Sequence, residues 1–209
     1  MRVHTALLSA MALGILMSTP RDLRAQRTED FKIEDIEVDF QRFKGSAGAW
    51  PKKKPGVLRI DEWMQVEVKF RAEPKDIEGK FLDEIEVRIH VLTPQDPNGL
   101  FKREVYTAEI RYAPVPKDKE IYAVAYLPPA VVEMHGGRAA LQNGCNVAAE
   151  VFFKGRPVAE LELKSKGERA GDENWYTRGG KKDVLLNRRK TPFFLDAWDR
   201  YLPEVEPGR

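Results

Sequence analysis

The sequence predicts an all-β fold, a two-sheet β-sandwich of seven or eight strands with short helices, one of them at the C-terminus. Two observations predict it. Apolar and polar residues alternate in several separate segments, and residues that favour turns lie between those segments. Alternation with a period of two is typical of a strand that has one face in a core and the other in water. A helix would give a period near 3.6 instead.

The longest alternating segment runs from Leu58 to Phe70, where the even-numbered positions are apolar except at Glu62. A strand with this pattern buries Val66 and leaves Glu67 facing water. Similar alternation recurs in the segments 36–40, 81–91, 106–112, 147–153 and 159–163. These segments predict strands with one buried face.

Two details refine this arrangement. Phe31 and Ile33 are apolar in the opposite phase to Ile36, which predicts a β-bulge between them. The segment 121–127 is apolar on both phases, as is typical of a strand in the middle of a sheet. Seven or eight strands within about 135 residues favour a two-sheet sandwich over a barrel or an α/β fold.

Turn-forming residues separate the strands. The segments 93–99 and 114–118 are rich in Pro, Asp, Asn and Gly, which favour turns. Lys154-Gly155-Arg156-Pro157 lies between two alternating segments and predicts a hairpin with a short glycine-containing loop.

Two segments have helical signals. Pro128 and Pro129 open a short apolar run that stops at Gly136-Gly137, the order of residues expected at the two ends of a helix.

Near the C-terminus, Thr191 is a candidate cap and Pro192 a first-turn residue. Phe194, Trp198 and Leu202 then recur every four residues, which predicts a helix with one apolar stripe. Residues 165–190, which are charged and rich in Gly, are interpreted as a surface loop, so residues 165–209 form a C-terminal loop and helix.

The N-terminus predicts an exported protein. A basic start is followed by an apolar run from Ala6 to Met17, and Ala25 offers a small residue for cleavage. Residues 1–25 are therefore predicted to be a signal peptide and residues 26–209 a single domain. The run is too short to span a bilayer, and no later segment is apolar enough to do so. We expect the protein in the periplasm or associated with the outer membrane.

The charge of the mature chain gives no attraction to nucleic acid. Residues 26–209 contain equal numbers of basic and acidic residues, so no net positive charge would draw the protein to phosphate backbones. We predict no nucleic-acid partner.

The residues that carry common enzyme chemistry are few. The mature chain has two serines, Ser46 and Ser165, and neither lies in a nucleophile-elbow motif. The lone thiol, Cys145, lies in a patterned segment and is predicted to be buried. His90 is expected to be solvated on the polar face of its strand. The histidines and Cys145 lack the spacing of zinc ligands. The sequence therefore predicts no enzyme, no cofactor and no metal site.

Loop aromatics are the candidate partner-binding residues. Trp50 lies in a Gly- and Lys-rich segment, and Trp175 and Tyr176 lie in the predicted loop. Each can pin its loop to the sandwich, contact a protein partner or stack on a sugar, and these alternatives stay open. Trp198 joins them, because its helical stripe packs either on its own chain or in a partner's groove.

Three segments resemble a known family. They are Glu120–Pro129, the hairpin Phe152–Pro157, and Thr191–Phe194 together with Trp198–Tyr201. They resemble verrucomicrobial, Akkermansia-type immunoglobulin-like envelope proteins that are associated with type IV pilus and secretin gene clusters. The resemblance implies a structural or adaptor role in the envelope, with pilus or secretion proteins as partners. The alternative function is a carbohydrate-binding module that uses the loop tryptophans.

Overall fold

The structure, a computed structural model, describes residues 30–42, 62–95, 102–163, 174–194 and 199–206. These ranges contain eleven strands, seven of them eight residues or longer. In chain order the strands are β1 (Phe31–Arg42), β2 (Glu62–Ala72), β3 (Phe81–Leu82), β4 (Ile85–Leu92), β5 (Val105–Tyr112), β6 (Val115–Pro116), β7 (Glu120–Leu127), β8 (Asn146–Phe153), β9 (Arg156–Leu163), β10 (Leu186–Asn187) and β11 (Glu204–Val205). The prediction of a mostly β protein is confirmed.

The strands form two main sheets. The four-stranded sheet has the order β1-β2-β7-β10, and the five-stranded sheet has the order β11-β5-β4-β8-β9. Neighbouring strands in both are antiparallel. The short strands β3 and β6 pair with each other. The segment 121–127, predicted to be central, lies in β7 between β2 and β10.

The inner faces of both sheets contribute to one hydrophobic core. Val66 of β2 and Val87 of β4 are both fully buried, as the alternation predicts. Burial of a valine side chain contributes roughly 1.5–3 kcal/mol, so the many such positions supply the main driving force for folding.

Two local predictions are confirmed in detail. The pairing of β1 with β2 shifts register between Ile33 and Asp35, which lets Phe31, Ile33 and Ile36 all reach the core despite their opposite phases. The β8–β9 hairpin turns through Lys154 and Gly155, both with positive φ (51° and 71°). Two positive-φ residues are what a tight two-residue hairpin requires.

Two short helices within the described ranges lie between β7 and β8. The predicted one is present as α1 (Pro129–Met134). Gly136 and Gly137 do end it, but a second helix, α2 (Gly137–Gly144), follows directly and was not predicted. The positive φ of both glycines, 86° and 76°, turns the chain between the helices.

The predicted C-terminal helix is wrong for the described part of that segment. Thr191–Phe194 and Asp199–Tyr201 form turns and bends, while residues 195–198 lie outside the described ranges. The Thr191 hydroxyl donates to the carbonyl of Arg188 (2.8 Å) and accepts from the amide of Phe193 (3.2 Å), which closes a turn. Phe193 is buried and Phe194 is 45% exposed, so the expected stripe does not form at Phe194.

Candidate functional site

The outer face of the five-stranded sheet holds a buried histidine. His90 is only 3% exposed, with Nδ1 3.0 Å from the Thr107 hydroxyl and Nε2 3.1 Å from a carboxylate oxygen of Glu150. The expectation of a solvated histidine is therefore wrong. His90 does lie on the polar face of β4, but another part of the chain covers that face.

That cover is a 3-10 turn, Trp175–Arg178. Trp175 and Tyr176 are 7% and 6% exposed, and the indole N–H of Trp175 donates to Glu162 at 2.7 Å. The ring centroid of Tyr176 lies 5.8 Å from that of His90. Burial, and then the nearby glutamates Glu160, Glu150 and Glu162, raise the pKa of Tyr176 to about 12, so its hydroxyl keeps its proton.

The structure thus places two of the predicted partner-binding residues against their own sheet. The predicted binding roles of Trp175 and Tyr176 stay predictions. Trp50 and Trp198, the other two candidates, lie outside the described residues, as do Ser46 and Ser165.

Charged side chains on the same outer face are paired with one another. Glu86 contacts Arg88 (2.7 Å) and Arg111 (3.0 Å), and the Arg88 guanidinium lies 4.0 Å from the centroid of the Phe152 ring. Lys182 contacts Glu109 at 2.6 Å, and this hydrogen bond lowers the pKa of the Glu109 carboxyl. The result is a ladder of alternating charges across β4 and β5.

A second polar cluster joins β5 to the end of α1. The Tyr106 hydroxyl contacts a carboxylate oxygen of Glu104 and lies 2.8 Å from Nε2 of His135, and Lys181 pairs with Glu104. Burial, followed by the Glu104 hydrogen bond, raises the pKa of Tyr106, and burial lowers the pKa of His135. Both rings are almost fully buried. The neutral imidazole of His135 and the protonated phenol of Tyr106 therefore hold the end of α1 against β5.

Cys145 is 8% exposed and belongs to the main core, as predicted for a small apolar residue. In the part of the chain that the structure describes, no group of three His, Cys, Asp or Glu residues is arranged to hold a metal ion. Within the same ranges, no helix has the length and apolar character needed to cross a membrane.

On the four-stranded sheet, a polar residue of the outer face is also buried. Glu67 of β2 is 6% exposed, and its carboxylate binds the Arg200 guanidinium and the Tyr201 hydroxyl. Phe193 packs on the same face against Tyr126, with ring centroids 4.9 Å apart. The C-terminal segment therefore lies across this sheet, although the sequence predicts Glu67 to face water.

The C-terminal segment also frames a cleft at the edge of β5, called the β5 cleft below. Its volume is about 510 Å³, and it is lined by residues 107–109 and 111 of β5, residues of the segment 182–190, and residues 205–206. At one end, the backbone of Lys181 pairs with Val105 (2.8 Å) and Thr107 (3.0 Å). At the other end, β11 pairs with Arg111 and Tyr112.

Between these two contacts the edge of β5 is open. Since Val105 and Thr107 direct their backbone groups away from β4, alternation places the N–H and C=O of Glu109 on the same side, toward the cleft. The side-chain oxygen of Asn187, buried in the cleft wall, has no hydrogen-bond partner among the described residues. An open strand edge can bind another extended backbone.

Local sequence patterns do not predict this cleft. Its one local signal is the short alternating run that ends at Tyr112, which marks β5 as a strand but not as an edge strand. The residues that close the two ends of the cleft come from segments about 75 and 95 residues further along the chain, and local periodicity carries no information at that separation.

A protein-family model matches residues 23–207. The chain belongs to this family. Its structure is similar to a crystal structure of a protein from Akkermansia muciniphila, with a TM-score of 0.61 and 22% sequence identity over 85% of this chain and 94% of that one. At this identity the likeness concerns the fold, because one fold hosts many functions. No curated protein matches the chain. The resemblance to an Akkermansia protein is confirmed for the fold, and the association with pilus genes stays a prediction.

Proposed function

We propose that this chain is a non-enzymatic, immunoglobulin-like structural or adaptor protein of the cell envelope. It is exported, acts in the periplasm or at the outer membrane, and takes part in a type IV pilus-like or secretion assembly. Its activity is to bind other proteins of that assembly.

The observation that carries this proposal is the β5 cleft. Its open backbone edge and its mixed lining of charged and apolar residues fit contact with a protein chain. The ionisable groups nearby are engaged in the ladder of ion pairs, with Glu109 held to Lys182. Such a surface is suited to recognition by hydrogen bonding and charge.

The arrangement of strands supports the immunoglobulin-like part of the proposal. Seven long strands are divided between two antiparallel sheets that share one core, as in immunoglobulin-like sandwiches. Modules of this kind present their edges and end loops to partners, while the buried core keeps those surfaces rigid.

Site-specific photo-crosslinking in living cells tests the proposal. A photoreactive amino acid replaces Lys182 at the rim of the β5 cleft, and a control protein carries it at Lys32 of β1. Both residues are exposed, and β1 lies at the far edge of the other sheet. We expect adducts with pilus or secretion proteins from position 182 but not from position 32. Retention of the protein in the cytoplasm, or adducts with unrelated abundant proteins alone, would contradict the proposal.

A further inference from the structure

The open stretch of β5 has the length of a short peptide strand. It spans residues 107–110, between the backbone contact of Lys181 and the pairing of β11. At about 3.3 Å per residue, four strand residues extend over about 13 Å. A segment of four or five extended residues therefore fits along it.

The backbone groups in this stretch are suited to pairing. Glu109 directs both its N–H and its C=O into the cleft, and Thr107 directs its C=O there, since its N–H already binds Lys181. In an antiparallel or parallel ladder the N–H of Glu109 donates to a C=O of an added strand, and the C=O groups of Glu109 and Thr107 accept from its N–H groups.

The charge of the lining favours an acidic segment. Four basic side chains face three acidic ones: Arg111, Lys182, Arg189 and Lys190 against Glu109, Asp183 and Glu206. Lys182 and Lys190 are 62% and 58% exposed, and their ion pairs with Glu109 and Asp183 lie at the surface. Exposed pairs of this kind are weak, so an incoming carboxylate can compete for the lysines.

We propose that the β5 cleft takes up an extended, acidic peptide segment of a partner protein, which adds to the five-stranded sheet as a strand beside β5. This inference rests on the proposed function and deepens it, because it names the mode of binding and the chemistry of the partner. Main-chain hydrogen bonds to Glu109 and Thr107 supply the affinity. The basic rim selects for a carboxylate.

The direct test uses the capped pentapeptide acetyl-Thr-Val-Asp-Val-Thr-amide with the mature protein. We expect binding with a dissociation constant below about 1 mM, measured by NMR titration, with shifts at the amides of residues 107–111. The same peptide with Lys in place of Asp should bind at least fivefold more weakly. No measurable binding of the acidic peptide would overturn the proposal.

Backbone methylation of the peptide separates strand addition from charge attraction alone. In a strand only alternate amides face the neighbouring strand. N-methylation of the Asp residue and N-methylation of the two Val residues therefore block opposite sides. We expect one methylated peptide to lose at least tenfold in affinity and the other to bind within twofold of the parent. Equal affinities of the two methylated peptides would overturn the proposal.

A matched pair of protein variants tests the hydrogen bond that the backbone N–H of Glu109 donates to the peptide, this time by changing the protein. Glu109→Pro removes the N–H that faces the cleft, at an edge position where proline is tolerated. Glu109→Ala removes the carboxylate and keeps the N–H. We expect the proline variant to bind at least tenfold more weakly than the alanine variant, with both folded by circular dichroism. Equal binding by the two would contradict strand addition.

The outcomes for this site and for the proposed function are separable. If crosslinking from position 182 captures pilus or secretion proteins but the peptide does not bind, the adaptor role stands and the addition of an acidic strand beside β5 is wrong. If the peptide binds and crosslinking captures no such protein, strand addition stands and the proposed assembly is wrong.

Discussion

Removal of the buried carboxylate of Glu67 should destabilise the fold, although the sequence marks its position as solvent-facing. Glu67 accepts hydrogen bonds from the Arg200 guanidinium and the Tyr201 hydroxyl. In Glu67→Ala both donors lose their partner. A hydrogen bond to a charged group contributes about 1.5–3 kcal/mol, and the Arg200 bond counts for less because its side chain is 48% exposed and can bind water.

The expected loss in unfolding free energy is therefore about 2–3 kcal/mol. For a domain of this size each kcal/mol lowers the melting temperature by about 2–4 °C, which gives a decrease of about 4–12 °C. Thermal unfolding of residues 26–209 at pH 7, followed by circular dichroism, measures it.

Glu37→Ala is the matched control. Glu37 lies directly opposite Glu67 in the β1–β2 pairing, on the same face, but is exposed. Either substitution removes the same cross-strand repulsion between the two glutamates. Only Glu67→Ala removes the contacts to the C-terminal segment, so Glu37→Ala should change stability by no more than about 0.5 kcal/mol. Melting temperatures within 2 °C of each other would refute the reasoning.

Three further predictions concern the core, the buried histidine and the N-terminus. Val66→Asp and Val87→Asp each place an unpaired charge in the core, which should cost several kcal/mol and abolish the cooperative melting transition. A transition close to that of the unsubstituted protein would show that the inward face is wrongly assigned. Because burial lowers the pKa of His135 below its usual 6.5, the unfolded chain binds more protons just below that pH, and stability should fall as the pH decreases from 7. Glu104, Tyr106 and Lys181 remain in His135→Gln, so its melting temperature should depend less on pH between 7 and 5.5; parallel curves would contradict this. Intact-mass analysis of protein from the native envelope should show loss of about 25 residues. A full-length mass would exclude cleavage near Ala25.

Much of each sheet follows from local sequence. The inward positions of β2 and β4, the bulge in β1 and the turn at Lys154-Gly155 depend on side-chain alternation and on the φ angles that a few residues favour. These are short-range properties. A single sequence shows them because the backbone conformation and orientation of each residue depend mainly on its nearest neighbours in the chain.

The helices mark where short-range signals become ambiguous. Local sequence predicts the glycine pair 136–137 only as the end of α1, yet the pair also allows the chain to reverse and begin α2. At the C-terminus, apolar residues at Phe194 and Leu202 fit helical spacing, but the burial of Phe193 against Tyr126 and Trp63 decides the local conformation. Tertiary packing overrides intrinsic helix preference, which contributes only a few tenths of a kcal/mol per residue.

Local sequence patterns are enough to predict which segments are strands and which of their faces enter the core. What covers the outer faces, and where a strand edge stays open, depends on contacts between distant parts of the chain. Glu67, His90 and Trp175 are buried by segments far away in the chain, and the β5 cleft exists because residues 181–187 leave the edge of β5 before β11 returns to it. A polar residue in an alternating strand has the same local pattern whether water or a distant segment lies above it. That difference is set by long-range packing, which local periodicity does not encode.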